Sequence, residues 1–227
     1  MFKRLKKVFS PGASLPEMAA RADAVSEWAG TQGFSYSSQS SGQGLVLTGK
    51  VRGKPWKLES GSASRDYIRG EELRARAALG INEDAAVLIM NRPLKETLEK
   101  RAYAIYTDTL QTTADPSLPE EMRWLAMYEE FGWSSLVPEF WERYTVLADR
   151  RDNALAWVDN NLAEMLLHWP KPGPDAQTPF ILMLLRGKAY LRMQYVPGDI
   201  ATLQHAAITY TSACEAALAG LSTDIPL

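Results

Sequence analysis

Apolar residues along this chain fall into two rhythms, one of three to four residues and one of two. In "SLPEMAARADAVSEWAG", Met18, Ala22, Val25 and Ala29 share one helical face, which predicts a helix over 14–30. Ser14 suits its N-cap, Pro16 its first turn and Glu17 the positive end of its dipole, and Gly30 suits its end. The Ser/Gly-rich stretch that follows reads as a loop. After it, "GLVLTGKV" and "KPWKLES" read as strands joined at Arg52-Gly53. Pro55 lacks an N–H and belongs where no ladder bond is needed, which points to a sheet edge.

The segment "EELRARAALG" sets two signals against each other. Its residue types favour helix, but Leu73, Ala75, Ala77 and Leu79 alternate with Glu72, Arg74 and Arg76 between two glycines. The alternation reads as a strand over 71–79. "AAVLIMNR" is a short apolar run between turn signals, which is what a well-buried strand requires. "PLKETLEKRAYAIYTDTLQ" is then a helix, with Pro93 at its start and Leu94, Leu98, Ala102, Ile105 and Thr109 along one side.

In the second half, "EEMRWLAMYEEF" predicts a helix over 120–131 and "ERYTVLAD" a strand. "NALAWVDNNLAEMLLHW" predicts one helix over 153–169, capped by Asp149 or Asp152, with Leu155, Val158, Leu162, Met165 and Leu166 as its stripe. The Pro/Gly-rich "PKPGPDAQTP" is a loop. "FILMLLRGKAYLRMQY" is a hairpin within 178–195 turning at Arg186-Gly187, and Asp199 caps a long final helix.

"VRGKPW" and "LRGKAY" repeat one grammar 134 positions apart, each after a helix, a loop and an apolar strand. A tight hairpin explains both copies, with Gly supplying a positive φ and the flanking Arg and Lys staying solvated. Paired anion-binding loops are the competing reading.

Composition narrows the class. At 227 residues with 46% hydrophobic and 23% charged content, the chain has the make-up of a globular protein. No run of about 18 apolar residues is present, so no membrane span is expected. No signal peptide is read after the basic start, and a single cysteine suits a reducing compartment, so a cytoplasmic location is expected. The net charge of −2 conceals an asymmetry. Residues 1–114 hold 17 Lys and Arg against 12 Asp and Glu, whereas residues 115–227 hold 8 against 15. The N-terminal "MFKRLKKVF" places Phe2, Leu5 and Phe9 at helical spacing among cations, a short basic amphipathic pattern that suits an anionic membrane surface.

The search for chemistry is mostly negative. His168, His205 and Cys214 lie in apolar helices without a catalytic partner nearby in sequence. No phosphate loop, dinucleotide fingerprint, nucleophile elbow or zinc-protease motif occurs. No catalytic residue, metal site or cofactor is assigned. The positive signal is a basic cluster, Lys50, Arg52, Lys54, Lys57, Arg65, Arg69, Arg74 and Arg76, with Trp56 and Tyr67 among them. Alternation places Lys50, Arg52 and Lys54 on one face and Lys57 on the other. Lys50, Arg52, Lys54, Trp56 and Lys57 are the candidate anion-binding residues.

The expected fold is α+β, an antiparallel sheet with hairpins near Arg52-Gly53 and Arg186-Gly187 packed by several long helices. The expected organisation is a basic segment over 1–12, an α+β half over 13–114, and a helix-rich α+β half over 115–227 packed on the first. The expected function is a non-catalytic binding or adaptor protein acting through a surface or groove, with another protein as partner. The alternative is a peripheral membrane or polyanion binder using the basic first half, and the third reading is an enzyme whose site no motif marks. With a pI near 5.8, nucleic acid is the least favoured partner.

Overall fold

A computed structural model of the chain describes residues 15–38, 44–108, 120–171 and 173–222. Helix α1 (Leu15–Thr31) leads into β1 (Ser35–Ser38), β2 (Leu45–Val51), β3 (Lys54–Ser62) and β4 (Glu71–Ala78). Strand β5 (Val87–Asn91) runs directly into α2 (Arg92–Asp108). Then come α3 (Glu120–Met127), β6 (Glu129–Phe131), α4 (Pro138–Arg143), β7 (Tyr144–Ala148), α5 (Arg151–Trp157) and α6 (Asn160–Leu167). The hairpin β8 (Phe180–Leu185) and β9 (Lys188–Tyr195) and the long α7 (Ile200–Gly220) complete the order.

The strands form one antiparallel sheet in the order β1-β2-β3-β4-β9-β8-β5-β7-β6, which makes the fold α+β. Strands from 13–114 and from 115–227 alternate across it: β9 and β8 lie between β4 and β5. The inner face carries the main core. Leu47, Trp56, Leu58, Leu73, Leu182 and Leu191 pack there with Leu203, Ala206, Tyr210 and Ala213 of α7 and with Trp157 and Leu162 of α5 and α6. The outer face has a smaller core, in which Leu94, Leu98 and Trp124 of α2 and α3 cover Leu88, Met90, Leu147, Ile181 and Met183.

The two outer-face regions explain the two strand rhythms. Strands β5 and β7 are buried at every position, because helices cover them on both sides. Strands β4 and β9 are covered on one side and are buried on alternate residues. The alternation of "ELRARAA" overrides its helical residue types because the sheet buries Leu73, Ala75 and Ala77 and leaves Arg74 and Arg76 outside.

Both Arg-Gly turns are two-residue loops, set by the registers Val51↔Lys54 and Leu185↔Lys188. In each, both central residues take positive φ: Arg52 at 45° and Gly53 at 80°, Arg186 at 51° and Gly187 at 69°. That is the type I′ pattern, whose twist matches the flanking strands. Because β3 and β9 flank β4 and run the same way, both turns project from one end of the sheet.

Several expectations are corrected by tertiary pairing. Residues 35–38, read as loop, form the edge strand β1. Strand β3 is interior rather than an edge; Pro55 is tolerated because it pairs only with Lys50, before the ladder to β4 begins at Trp56↔Ala77. The helix read over 120–131 stops at Met127, and residues 129–131 add to the edge of β7. The single helix read over 153–169 is two helices, broken at Val158. Asp159 caps the second, accepting from the Leu162 N–H at 2.7 Å. Asp149 and Asp152 do not cap; Asp149 instead accepts from the Ala86 N–H at 2.9 Å and from the Asn153 side chain. Ser14 and the basic segment over 1–12 lie outside the described residues.

Candidate functional site

The register decides where each candidate cation points. In an antiparallel ladder, directly opposite side chains lie on the same face. Lys50 opposes Pro55 and Lys57 opposes Thr48, so Lys50 and Lys57 share the outer face. Lys54 opposes the buried Val51 and lies on the inner side. The sequence reading, with Lys54 beside Lys50 and Lys57 opposite, is therefore reversed, because a two-residue turn sets the parity across the hairpin. Arg52 sits exposed in the turn itself.

Trp56 is not a surface residue. It is 2% exposed on the inner face, edge-on to Phe34 at 4.8 Å and to Tyr210 at 6.2 Å. Gly49 opposes it in the ladder, and a Cβ there would come within 2.6 Å of the indole, so the glycine makes room for the ring. Tyr67 is buried as well and donates its hydroxyl to Glu121 at 3.2 Å. Neither aromatic belongs to a binding surface.

The structure gathers a different set. On the outer face of β2, β3, β4 and β9, the register aligns Lys57 with Arg76 and Tyr190, and in the next row Glu59 with Arg74 and Arg192. Lys50 and Lys188 extend the patch toward the end from which the two turns project. Six cations share this face with two carboxylates, Glu59 and Glu72. Among the described residues no helix is packed over it; α2 and α3 lie over the other end of the sheet.

Two pairs of cations stand directly opposite one another, Lys57 with Arg76 and Arg74 with Arg192. Like charges in that position destabilise a sheet. The carboxylates offset only part of this. Glu59 lies 2.5 Å from Lys57 and 3.4 Å from Arg74, while Glu72 holds Arg192 at 2.7 Å. Glu72 is fully buried and accepts also from the Ser64 N–H and hydroxyl, each at 2.8 Å, so the Arg192 guanidinium is held in place. Arg76 has no ion pair among the described residues, and the Arg74 Nε is buried without a hydrogen-bond partner.

Beside Tyr190 the open face meets a cleft of about 300 Å³ between α3 and the β8–β9 hairpin. Its apolar lining is Trp124 and Met127 on the helix, Tyr128 just beyond it, and Met183, Leu185 and Tyr190 on the strands, interspersed with charged residues that include Arg123 and Arg192. Arg65, at one end, is paired with the buried Glu121.

The histidines and the cysteine lie on the other side of the sheet, with the inner helices. His205 has its Nε2 2.7 Å from the Met165 carbonyl and stacks on Trp169 at 4.8 Å, and burial lowers its pKa. Cys214 is fully buried in α7, and burial pushes its thiol up to about 12, so it is no thiolate at neutral pH. Among the described residues no group of three or more potential metal ligands occurs.

Arg74 and Arg76 stood in the sequence cluster, but Lys188, Tyr190 and Arg192 did not. Their signal was present: "KAYLRM" alternates as "ELRARA" does, with the polar residues on one side. Linear proximity hid it, since β9 lies more than a hundred residues beyond its neighbour β4.

No protein-family model matches this chain, and no curated protein sequence does. Among solved structures, the chain is similar to the crystal structure of the mycobacterial trehalose monomycolate transport factor A. The likeness has a TM-score of 0.48 and 12% sequence identity, covering 92% of this chain and 99% of that one.

Proposed function

We propose that the chain is a non-catalytic binding protein that engages an anionic partner through the open outer face of β2, β3, β4 and β9. The observation that carries this reading is the placement of Lys57 opposite Arg76 and of Arg74 opposite Arg192 on a face that no helix covers among the described residues. Such pairs cost stability, and an anionic partner bound over them turns that repulsion into attraction. The carboxylates of the region support binding rather than acid–base chemistry, since Glu72 and Glu121 are committed to Arg192 and Arg65. The reading keeps Lys50 and Lys57 from the first-half cluster, leaves out Trp56 and Lys54, and adds Lys188 and Arg192 from β9.

Titration of the full chain with fluorescein-labelled poly-glutamate at low and near-physiological salt tests it. Anisotropy should report binding at low salt that weakens steeply as salt rises. The double variant Lys57→Glu with Arg76→Glu should weaken it by about tenfold or more. Anionic lipid vesicles form a second arm, and binding to vesicles without binding to poly-glutamate would assign the face to a membrane surface. Absence of binding to either at low salt would leave the patch as solvated surface and end the proposal.

A further inference from the structure

Tyr190 stands where two kinds of surface meet. In the ladder it has Arg76 on one side and Met183 on the other, so the cationic rows meet the cleft there, and Arg192 belongs to both. The cleft has a mixed polar and apolar lining, in which Trp124, Met183 and Tyr190 give an apolar patch, and Met127 on its α3 side is 65% exposed, a large apolar side chain left in water. Methionine and aromatic walls of this kind accommodate apolar side chains of varied shape. At about 300 Å³ the cleft stands at the lower limit of small-molecule pockets, which gives room for one large side chain. Glu83, Asp84 and Glu120 also line it, together with Arg65, Arg123, Arg186 and Arg192, so its polar rim is of mixed charge.

The cationic rows have a spacing of their own. Arg74 and Arg76, two residues apart on β4, are separated by about 6.7 Å, twice the rise of a strand. An extended peptide with carboxylates at alternate positions has the same repeat. Single-stranded nucleic acid bound without sequence preference relies on successive aromatic platforms, and among the described residues this face offers one aromatic, Tyr190.

We infer that the partner is an extended acidic protein segment that lays alternate carboxylates over Lys57, Arg74, Arg76 and Arg192 and seats one aromatic side chain in the cleft between Trp124, Met127 and Tyr190. This inference rests on the anionic-partner reading above and specifies its occupant. The cations provide long-range attraction and the aromatic anchor provides register and residence time.

The test uses the full chain and three fluorescein-labelled probes: a peptide of alternating glutamate and serine ending in tryptophan, the same peptide ending in serine, and oligothymidylate. The tryptophan peptide should bind about tenfold tighter than the serine peptide. Met127→Ser and Tyr190→Ser should each bring that ratio below about twofold, while the serine peptide keeps its wild-type affinity. Met127 is exposed, so its variant keeps the test valid if Tyr190→Ser proves unstable. Equal binding of the two peptides would overturn the anchored-peptide inference and leave the anionic-partner reading intact. Oligothymidylate binding tighter than both peptides would overturn it in favour of nucleic acid. Failure of all three probes at low salt would overturn it together with the reading beneath it.

Discussion

The two ends of the sheet present the same backbone to the outer side and meet opposite fates. At the β8-β5-β7 end, outward positions are Ile181, Met183, Leu88, Met90 and Leu147, and α2 and α3 cover them. At the β2-β3-β4-β9 end, outward positions include Lys50, Lys57, Arg74, Arg76, Lys188 and Arg192 with Glu59, Glu72 and Tyr190, and among the described residues nothing helical covers them. Removing apolar surface from water drives helices over the first end. The second end has no such drive, and its opposed cations resist closure by any neutral surface. The cationic character of this face is therefore a property of the strands themselves.

Single substitutions at matched outward positions should separate the two ends most clearly. Leu88→Ala, beneath α2, should cost about 2–5 kcal/mol in urea unfolding, since it removes a fully buried side chain. Arg76→Ala, facing outward at the open end, should stay within about 0.5 kcal/mol of wild type. Similar losses at both sites would mean that the open end is covered after all. A smaller effect is expected at the boundary: Glu72→Gln leaves Arg192 without its carboxylate and should cost about 1–3 kcal/mol.

The smallest effect concerns the inner layer. Burial lowers the pKa of His205, so the unfolded chain takes up a proton there at higher pH than the folded chain does. Its contribution to stability is complete above about pH 6.5 and is lost as pH falls through that value toward the depressed folded pKa. Thermal melts across this window should show the decline, and His205→Gln should flatten it. His205 lies on the inner side of the sheet, away from the outer face, so polyanion binding by the folded protein should persist.

Much of this contrast was legible in the sequence, and its limits are physical. The unbroken apolar run of "AAVLIM" announces a well-buried strand and the alternation of "ELRARA" a strand with two unlike sides, and both strands form as read. The Arg-Gly-Lys repeat announces two tight turns, although positive φ at the arginines as well as the glycines appears only in the structure. Short edge strands were missed because pairing to β2 and β7, rather than local composition, makes β1 and β6. The candidate site was half legible. Lys57, Arg74 and Arg76 are close in sequence, but Lys188, Tyr190 and Arg192 join them through a β4–β9 pairing that no local pattern reveals. Trp56 misled for the opposite reason: its basic neighbours are outside while it lies in the core.

The most direct test of the account pairs stability with binding in one variant, Lys57→Glu with Arg76→Glu. If the opposed cations serve a partner rather than the fold, urea unfolding should show stability within about 1 kcal/mol of wild type. Poly-glutamate affinity at low salt should fall by about tenfold or more in the same protein. Wild-type affinity in the variant, or a loss of several kcal/mol of stability with binding unchanged, would contradict the claim and return these charges to the fold.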